Sequence, residues 1–238
     1  MRVIGVDGCR GGWACVAMRG LDDPSPESWV SPDFAALLDR RPDPDLVLID
    51  IPIGLLERGP DPREPDVLAR RMLGGKRASS VFPAPVRPVL HTPDYASANA
   101  LSEELTGRGL SRQSWSILPK IRQVDEFLRE RPEWIGRVRE VHPELCLHAF
   151  AGGRSMTHNK KTDEGFRERF ELLSERYPES ERALGSLLLH EEKRVARDDA
   201  VDALAAALTG LGPGPLRTIP ETPARDAAGI PMEMVFAE

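Results

Sequence analysis

The chain has 238 residues, enough to bury a substantial core without disulfides or a structural metal, and its composition is ordinary for a globular protein apart from 22 prolines. Its formal net charge of −6 argues against a large, uniformly basic nucleic-acid surface, because phosphate binding is driven by Lys and Arg. Cys9, Cys15 and Cys146 are too few and too scattered for a disulfide framework or a zinc site, and no run approaches the ~20 apolar residues that span a bilayer, so a cytoplasmic setting without a membrane partner is expected.

Arg2–Asp7 reads as a buried strand on the strength of Val3, Ile4 and Val6. Gly8–Gly12 is a turn and Trp13–Met18 a second strand, so a hairpin is predicted. A short strand near Ser28–Val30 follows, then a short helix over Asp33–Arg40 with Phe34, Leu37 and Leu38 on one face. Leu46–Ile51 (LVLIDI) is apolar apart from Asp50, as expected of a strand covered on both faces, and Pro52 and Gly54 end it. A helix joins it to the first strand, which makes the two parallel.

Residues 55–135 read as a mostly helical insertion. Helices are expected over Pro65–Leu73, over 94–105 and over Pro119–Arg129, the last with Pro119 at its first position and an apolar stripe of Ile121, Val124 and Leu128. Gly74–His91 is expected to be a loop. Arg137–His142 alternates like a strand that Pro143 stops. Helices are predicted over Asp163–Tyr177 and 181–193, followed by an Ala-rich helix over Asp198–Leu208 with Asp198 at its N-cap and Gly210 and Gly212 beyond its end. The tail should be extended, with Pro231–Phe236 as an edge strand. The whole predicts a single α/β domain with a mixed five-stranded sheet, helices on both faces and a helical insertion.

Two of these strands end in an acid, Asp7 and Asp50. Ligands of open α/β sheets collect at the carboxyl ends of strands, so adjacent parallel strands bring both acids to one edge. Asp199 and Asp202 are three apart on the final helix and share a face. Four carboxylates converging there would repel one another, and Mg²⁺ or Mn²⁺, which favour oxygen ligands, would relieve that repulsion. Two such ions ~3.5–4 Å apart activate water and stabilise a leaving oxygen in phosphodiester cleavage. Each acid also has a plain structural role open to it. Asp7 can cap the Gly8 turn, Asp50 can bond loop amides, and Asp199 and Asp202 can favour the helix N-terminus through its dipole.

The segments VIGVDGCRGGW, LVLIDIPIG, RASSVFPAPVR, SWSILPKIRQVDEFLR, EVHPE and DDAVDALAAA resemble the motifs of domain-of-unknown-function family 429 over most of the chain. That resemblance implies a ribonuclease H-like three-layer fold and a nuclease activity. The run Asp199-Ala-Val-Asp202 is similar to the last-helix motif of RuvC-type resolvases, which implies Asp7, Asp50, Asp199 and Asp202 as the metal ligands. Asp50 departs from that pattern, which has Glu, a longer ligand, at this place.

Other residues are candidates around such a site. Glu140 and His142 in EVHPE point to the same face along a strand, Glu140 as a further catalytic acid and His142 as a base, a ligand or a structural residue. Arg10 sits in the Gly-rich hairpin turn. Arg70 is a basic residue within family-like sequence, and Arg77, Ser79 and Ser80 can hold a phosphate or form a solvated loop. Lys120, near the start of its helix, can reach a phosphate or pair with Asp125. Lys160 can bind substrate, although Lys160 and Lys161 read by default as a solvated pair.

The leading expectation is therefore metal-dependent phosphodiester hydrolysis in a nucleic acid or nucleotide. A content of 5% aromatic residues and the acidic balance fit a short or small substrate better than long duplex. An actin-like phosphotransferase, with Asp7–Gly12 as a phosphate-facing hairpin, and a non-catalytic binding or regulatory protein are the alternatives. Monomer and homodimer are both open.

Overall fold

In the computed structural model of the chain, residues 1–23, 25–190, 194–212 and 214–237 are described. The elements run β1 (Val3–Cys9), β2 (Gly12–Met18), β3 (Glu27–Ser31), α1 (Phe34–Arg40), β4 (Leu46–Ile49), α2 (Glu64–Leu73), α3 (Tyr95–Thr106), α4 (Arg112–Glu130), β5 (Val138–Glu140), α5 (Pro143–Phe150), α6 (Asp163–Arg176), α7 (Ser180–His190), α8 (Arg197–Gly210), β6 (Arg217–Ile219) and β7 (Met234–Phe236). Among the described residues no helix is long and apolar enough to cross a membrane. The chain divides into one unit of Met1–Asp50, Gly136–Arg217 and Val235–Glu238 and another of Ile51–Ile135 and Thr218–Met234.

In the first unit the expected mixed five-stranded sheet has the order β3-β2-β1-β4-β5. β1 runs antiparallel to β2 and parallel to β4, and β4 is parallel to β5. The pairs Val6↔Ile49 and Ile49↔Glu140 fix the register at the carboxyl ends of the parallel strands. One face packs Ala14, Val16 and Met18 against Leu173, Leu184, Leu187 and the alanines of α8. The other face carries Trp13, which meets Phe34 of α1 edge-on at 5.9 Å. Asp33 caps α1 by accepting from Ala36 N at 2.7 Å.

Helix α8 is buried from Ala200 through Gly210, so it is covered all round where a surface helix would show a solvated stripe, and Asp202 and Thr209 are the polar side chains of that stretch. Its alanines let it lie almost on the sheet backbone. A Cβ at Gly5 of β1 would sit 2.1 Å from Ala203 O and 2.2 Å from Ala207 N, so glycine is what permits this approach.

Several boundaries differ from the sequence reading. The strand expected over Arg137–His142 is only Val138–Glu140, and Pro143 begins helix α5 where it was expected merely to stop a strand. Proline suits the first turn of a helix, where its missing N–H has no partner to lose, and Glu144 in that turn complements the helix dipole. The N-cap of α8 is Ala196, not Asp198, and Asp198 lies in the first turn. The edge strand expected over Pro231–Phe236 is β7 alone, paired with β6. Of the helix expected over 181–193, α7 reaches His190, and 191–193 lie outside the described residues.

In the second unit Pro119 lies inside α4, not at its first position. An interior proline costs about 3 kcal/mol. Leu118, Ile121, Val124 and Leu128, buried along one face, offset it, since each contributes about 1.5–3 kcal/mol. Ser111 caps this helix by accepting from Ser114 N at 3.0 Å. The Gly74–His91 stretch is not all loop, because Gly75–Ser80 and Arg87–His91 form 3-10 turns. Arg87 is buried with Asp125, Asp226 and Glu57 around its guanidinium, an ion-pair core that ties α4 to the segment 218–234 of the same unit.

Candidate metal centre

Asp7 lies in β1 and Asp50 directly follows β4. The register pairs Val6 with Ile49, and Asp50 N donates to Val6 O at 3.0 Å, so the two acids leave neighbouring parallel strands at the same level. By the alternation of the pleat Asp7 shares the face of Gly5, the face on which α8 lies. Asp202, one turn into α8, is buried there. Three separate segments thus deliver one acid each to the end of the sheet, and Gly5 sets how close the helical one comes.

Burial and neighbouring charge act on the ionisation of each of these side chains. Burial raises the Asp7 carboxyl well above its usual value, with Asp50 and Asp202 adding to the rise, Lys160 opposing it and Asp199 adding least. Asp50, half-buried, is also raised by desolvation, against which His142 and Lys160 act, and Glu144 adds to the rise. Asp202 is pushed up to about 6, chiefly by burial and by Asp50, with Lys160 holding it down. Lys160 itself is raised, because Asp202, Asp7 and Asp50 together outweigh the burial that disfavours its ammonium.

Asp199 does two things. Its carboxylate accepts from Ala196 N at 3.1 Å, closing the first turn of α8, and its charge bears on Asp7. Asp7 likewise accepts from Gly8 N at 2.7 Å, so it serves the turn as well as the cluster.

Lys160 is not half of a solvated pair. Its Nζ lies 2.6 Å from Asp202 Oδ2 and 3.9 Å from Asp198 Oδ2, whereas Lys161 is exposed. The loop that carries Lys160 is held by α6. Glu168 accepts from Thr157 N at 2.7 Å and His158 N at 2.9 Å, and Arg169 donates to His158 O at 3.1 Å. A Cβ at Gly165 would lie 1.8 Å from Asn159 O, so the loop is pressed onto the helix. Arg169 is buried and also donates from Nε to Glu144 Oε1 at 3.1 Å, which links the loop to α5.

The donor set is all oxygen, which fits a hard cation such as Mg²⁺ or Mn²⁺ better than a soft one. As the side chains stand, no three His, Cys, Asp or Glu among the described residues are gathered into a ligand shell, and Lys160 Nζ donates to Asp202 Oδ2.

The remaining candidates separate. Glu140 pairs with Ile49, one residue before Asp50, so the pleat turns it to the opposite face from Asp50. It is buried there. His142 is the N-cap residue of α5 and close enough to favour the ionised form of Asp50. Arg10 is exposed at the hairpin tip, where Gly11 N donates to Arg194 O at 2.9 Å. Arg70, Arg77, Ser79, Ser80 and Lys120 belong to the second unit. There Ser79 and Ser80 donate to Lys76 O and Arg77 O at 2.8 and 2.7 Å, and Arg70 donates to Val81 O. Lys120 lies mid-helix in α4, not near a helix start, and Asp125 pairs with Arg87 and Arg129.

Sequence reasoning missed Gly5, Glu144 and Arg169. A lone glycine inside an apolar strand is a recognisable sign of close backbone approach, so Gly5 was legible. The Glu144–Arg169 pair joins positions 25 residues apart and carries no local signal.

No curated protein and no solved structure matches the chain. A family model does, over residues 5–225, which takes in the cluster and most of each unit. The chain therefore belongs to the family described as protein of unknown function (DUF429).

Proposed function

We propose that the chain is a metal-dependent hydrolase of phosphodiester bonds, a nuclease or nucleotide-cleaving enzyme built on a ribonuclease H-like fold and working in the cytoplasm. The observation that carries this reading is the delivery of Asp7, Asp50 and Asp202 from β1, β4 and α8 to one end of the sheet, where Lys160 Nζ lies 2.6 Å from Asp202 Oδ2. Carboxylates held this way at the carboxyl end of a sheet bind a divalent cation to relieve their charge.

Mg²⁺ or Mn²⁺ held by Asp7, Asp50 and Asp202, with Asp199 beside them, would polarise the phosphoryl oxygens and supply hydroxide at neutral pH. The protein's own part is orientation. Asp7 is fixed by Gly8 N, Asp50 by the end of β4 and Asp202 by a helix buried from Ala200 onward. The hairpin turn is a poorer phosphate cradle, since the Gly11 amide is spent on Arg194 O, and this favours hydrolysis over phosphotransfer.

A panel of single-stranded, duplex, hybrid and branched nucleic acids and small nucleotides, each with Mg²⁺ and Mn²⁺, tests the reading. Cleavage of at least one substrate that needs the cation and disappears in Asp7→Asn and Asp202→Asn is expected. Metal-independent cleavage, or cleavage unchanged in both variants, refutes it.

A further inference from the structure

The acid cluster already contains a cation of its own. We propose that Lys160 is a built-in cation of this cluster, doing the charge-neutralising work of a second metal ion, so that the site takes one divalent ion rather than two. The inference rests on the metal-dependent reading above and revises the two-ion expectation drawn from the sequence.

Three observations support it. The ammonium contacts Asp202 at 2.6 Å and acts on Asp7 and Asp50 as well. It is also delivered on purpose-built backbone. The Thr157 and His158 amides are tied to Glu168, the His158 carbonyl to Arg169, and Gly165 lets the Asn159 carbonyl sit against α6. A surface lysine that met an acid by chance would need no such anchoring, and an exposed ion pair would be worth little.

The third observation is the charge balance. Asp7, Asp50 and Asp202 bring three negative charges when ionised, and Lys160 leaves two, the charge of one divalent ion. Two divalent ions beside Lys160 would bring five positive charges to these three carboxylates. In this arrangement Lys160 neutralises carboxylate and phosphate charge, and activation of water would fall to the single ion held by Asp7, Asp50 and Asp202.

The test is Mn²⁺ binding by calorimetry and by the paramagnetic signal of free Mn²⁺, on the full chain without substrate. Lys160→Met keeps the apolar stem and removes the charge, and Lys160→Gln is a second neutral variant should the first fail to fold. Wild type is expected to bind one Mn²⁺ per chain, and the neutral variants to bind a second, which is lost again when Asp202→Asn is added. Two Mn²⁺ in wild type, or the same stoichiometry in wild type and the neutral variants, overturns the role of Lys160 and leaves the metal-dependent reading intact. No Mn²⁺ bound by wild type, or binding unaffected by Asp7→Asn, overturns both.

Discussion

Asp7→Asn should stabilise the metal-free protein while it destroys the metal site. Neighbouring strands lie ~4.8 Å apart, and two like charges ~5 Å apart at an effective dielectric of ~20 repel by about 3 kcal/mol. Lys160 attracts Asp7 and offsets part of this, so a net gain of about 2 kcal/mol on removing the charge is a fair expectation. Asn keeps an oxygen to accept from Gly8 N, so the turn is preserved. In a chain of this size that gain raises the thermal midpoint by about 4–8 °C.

The gain should depend on pH. The folded-state pKa values of Asp7, Asp50 and Asp202 lie above the unfolded value of ~3.9. Their contribution to stability is therefore intact below pH ~4 and is lost as pH rises through the folded values, about 6 for Asp202. Melting curves in chelator should show wild type and Asp7→Asn converging toward pH 4 and separating at pH 8, and added Mn²⁺ should raise the midpoint of wild type alone. A variant that melts below wild type at pH 8, or a difference equal at both pH values, would refute the reasoning.

Gly5→Ala puts a methyl group 2.1 Å from Ala203 O of α8, and backbone cannot yield as a side chain tip would. A loss of at least about 3 kcal/mol by denaturant titration is expected, together with weaker Mn²⁺ binding, because α8 carries Asp202. Arg169→Met leaves Glu144 buried without its guanidinium, which should cost about 3–5 kcal/mol. Arg169→Met combined with Glu144→Gln should recover much of that stability but not the anchoring of the Lys160 loop, which amide exchange at Thr157 and His158 would report.

How far the sequence could be read follows from the range of the forces involved. Asp7 and Asp50 were legible because strand patterning and the parallel connection between their strands follow from local hydrophobicity and handedness. The Asp199–Asp202 spacing identified the helix face, but the burial of α8 on all sides depends on its alanines meeting Gly5, about two hundred positions earlier in the chain. Pro119 and Pro143 misled in opposite directions. One was tolerated inside α4 because the apolar stripe around it outweighs its cost, and the other started a helix where a stop was expected. Lys160 was a candidate for substrate binding, but its contact with Asp202 was not foreseen. Nothing near it in sequence announces that α6 will fold its loop toward Asp202, since the anchoring groups, Glu168 and Arg169, look like ordinary charges of a surface helix. Glu140 is out of step with Asp50 by register. A single residue's offset from Asp50 puts it on the other side of the sheet.

Asp7, Asp50 and Asp202 are expected to form one divalent-ion site. Anomalous diffraction from a crystal soaked in Mn²⁺ tests it most directly. A single strong peak about 2.0–2.3 Å from carboxylate oxygens of these three residues, with Lys160 Nζ still beside the cluster, is the expected result. Peaks confined to other surfaces, with Lys160 on Asp202 and no density between the three acids at saturating Mn²⁺, would contradict the account.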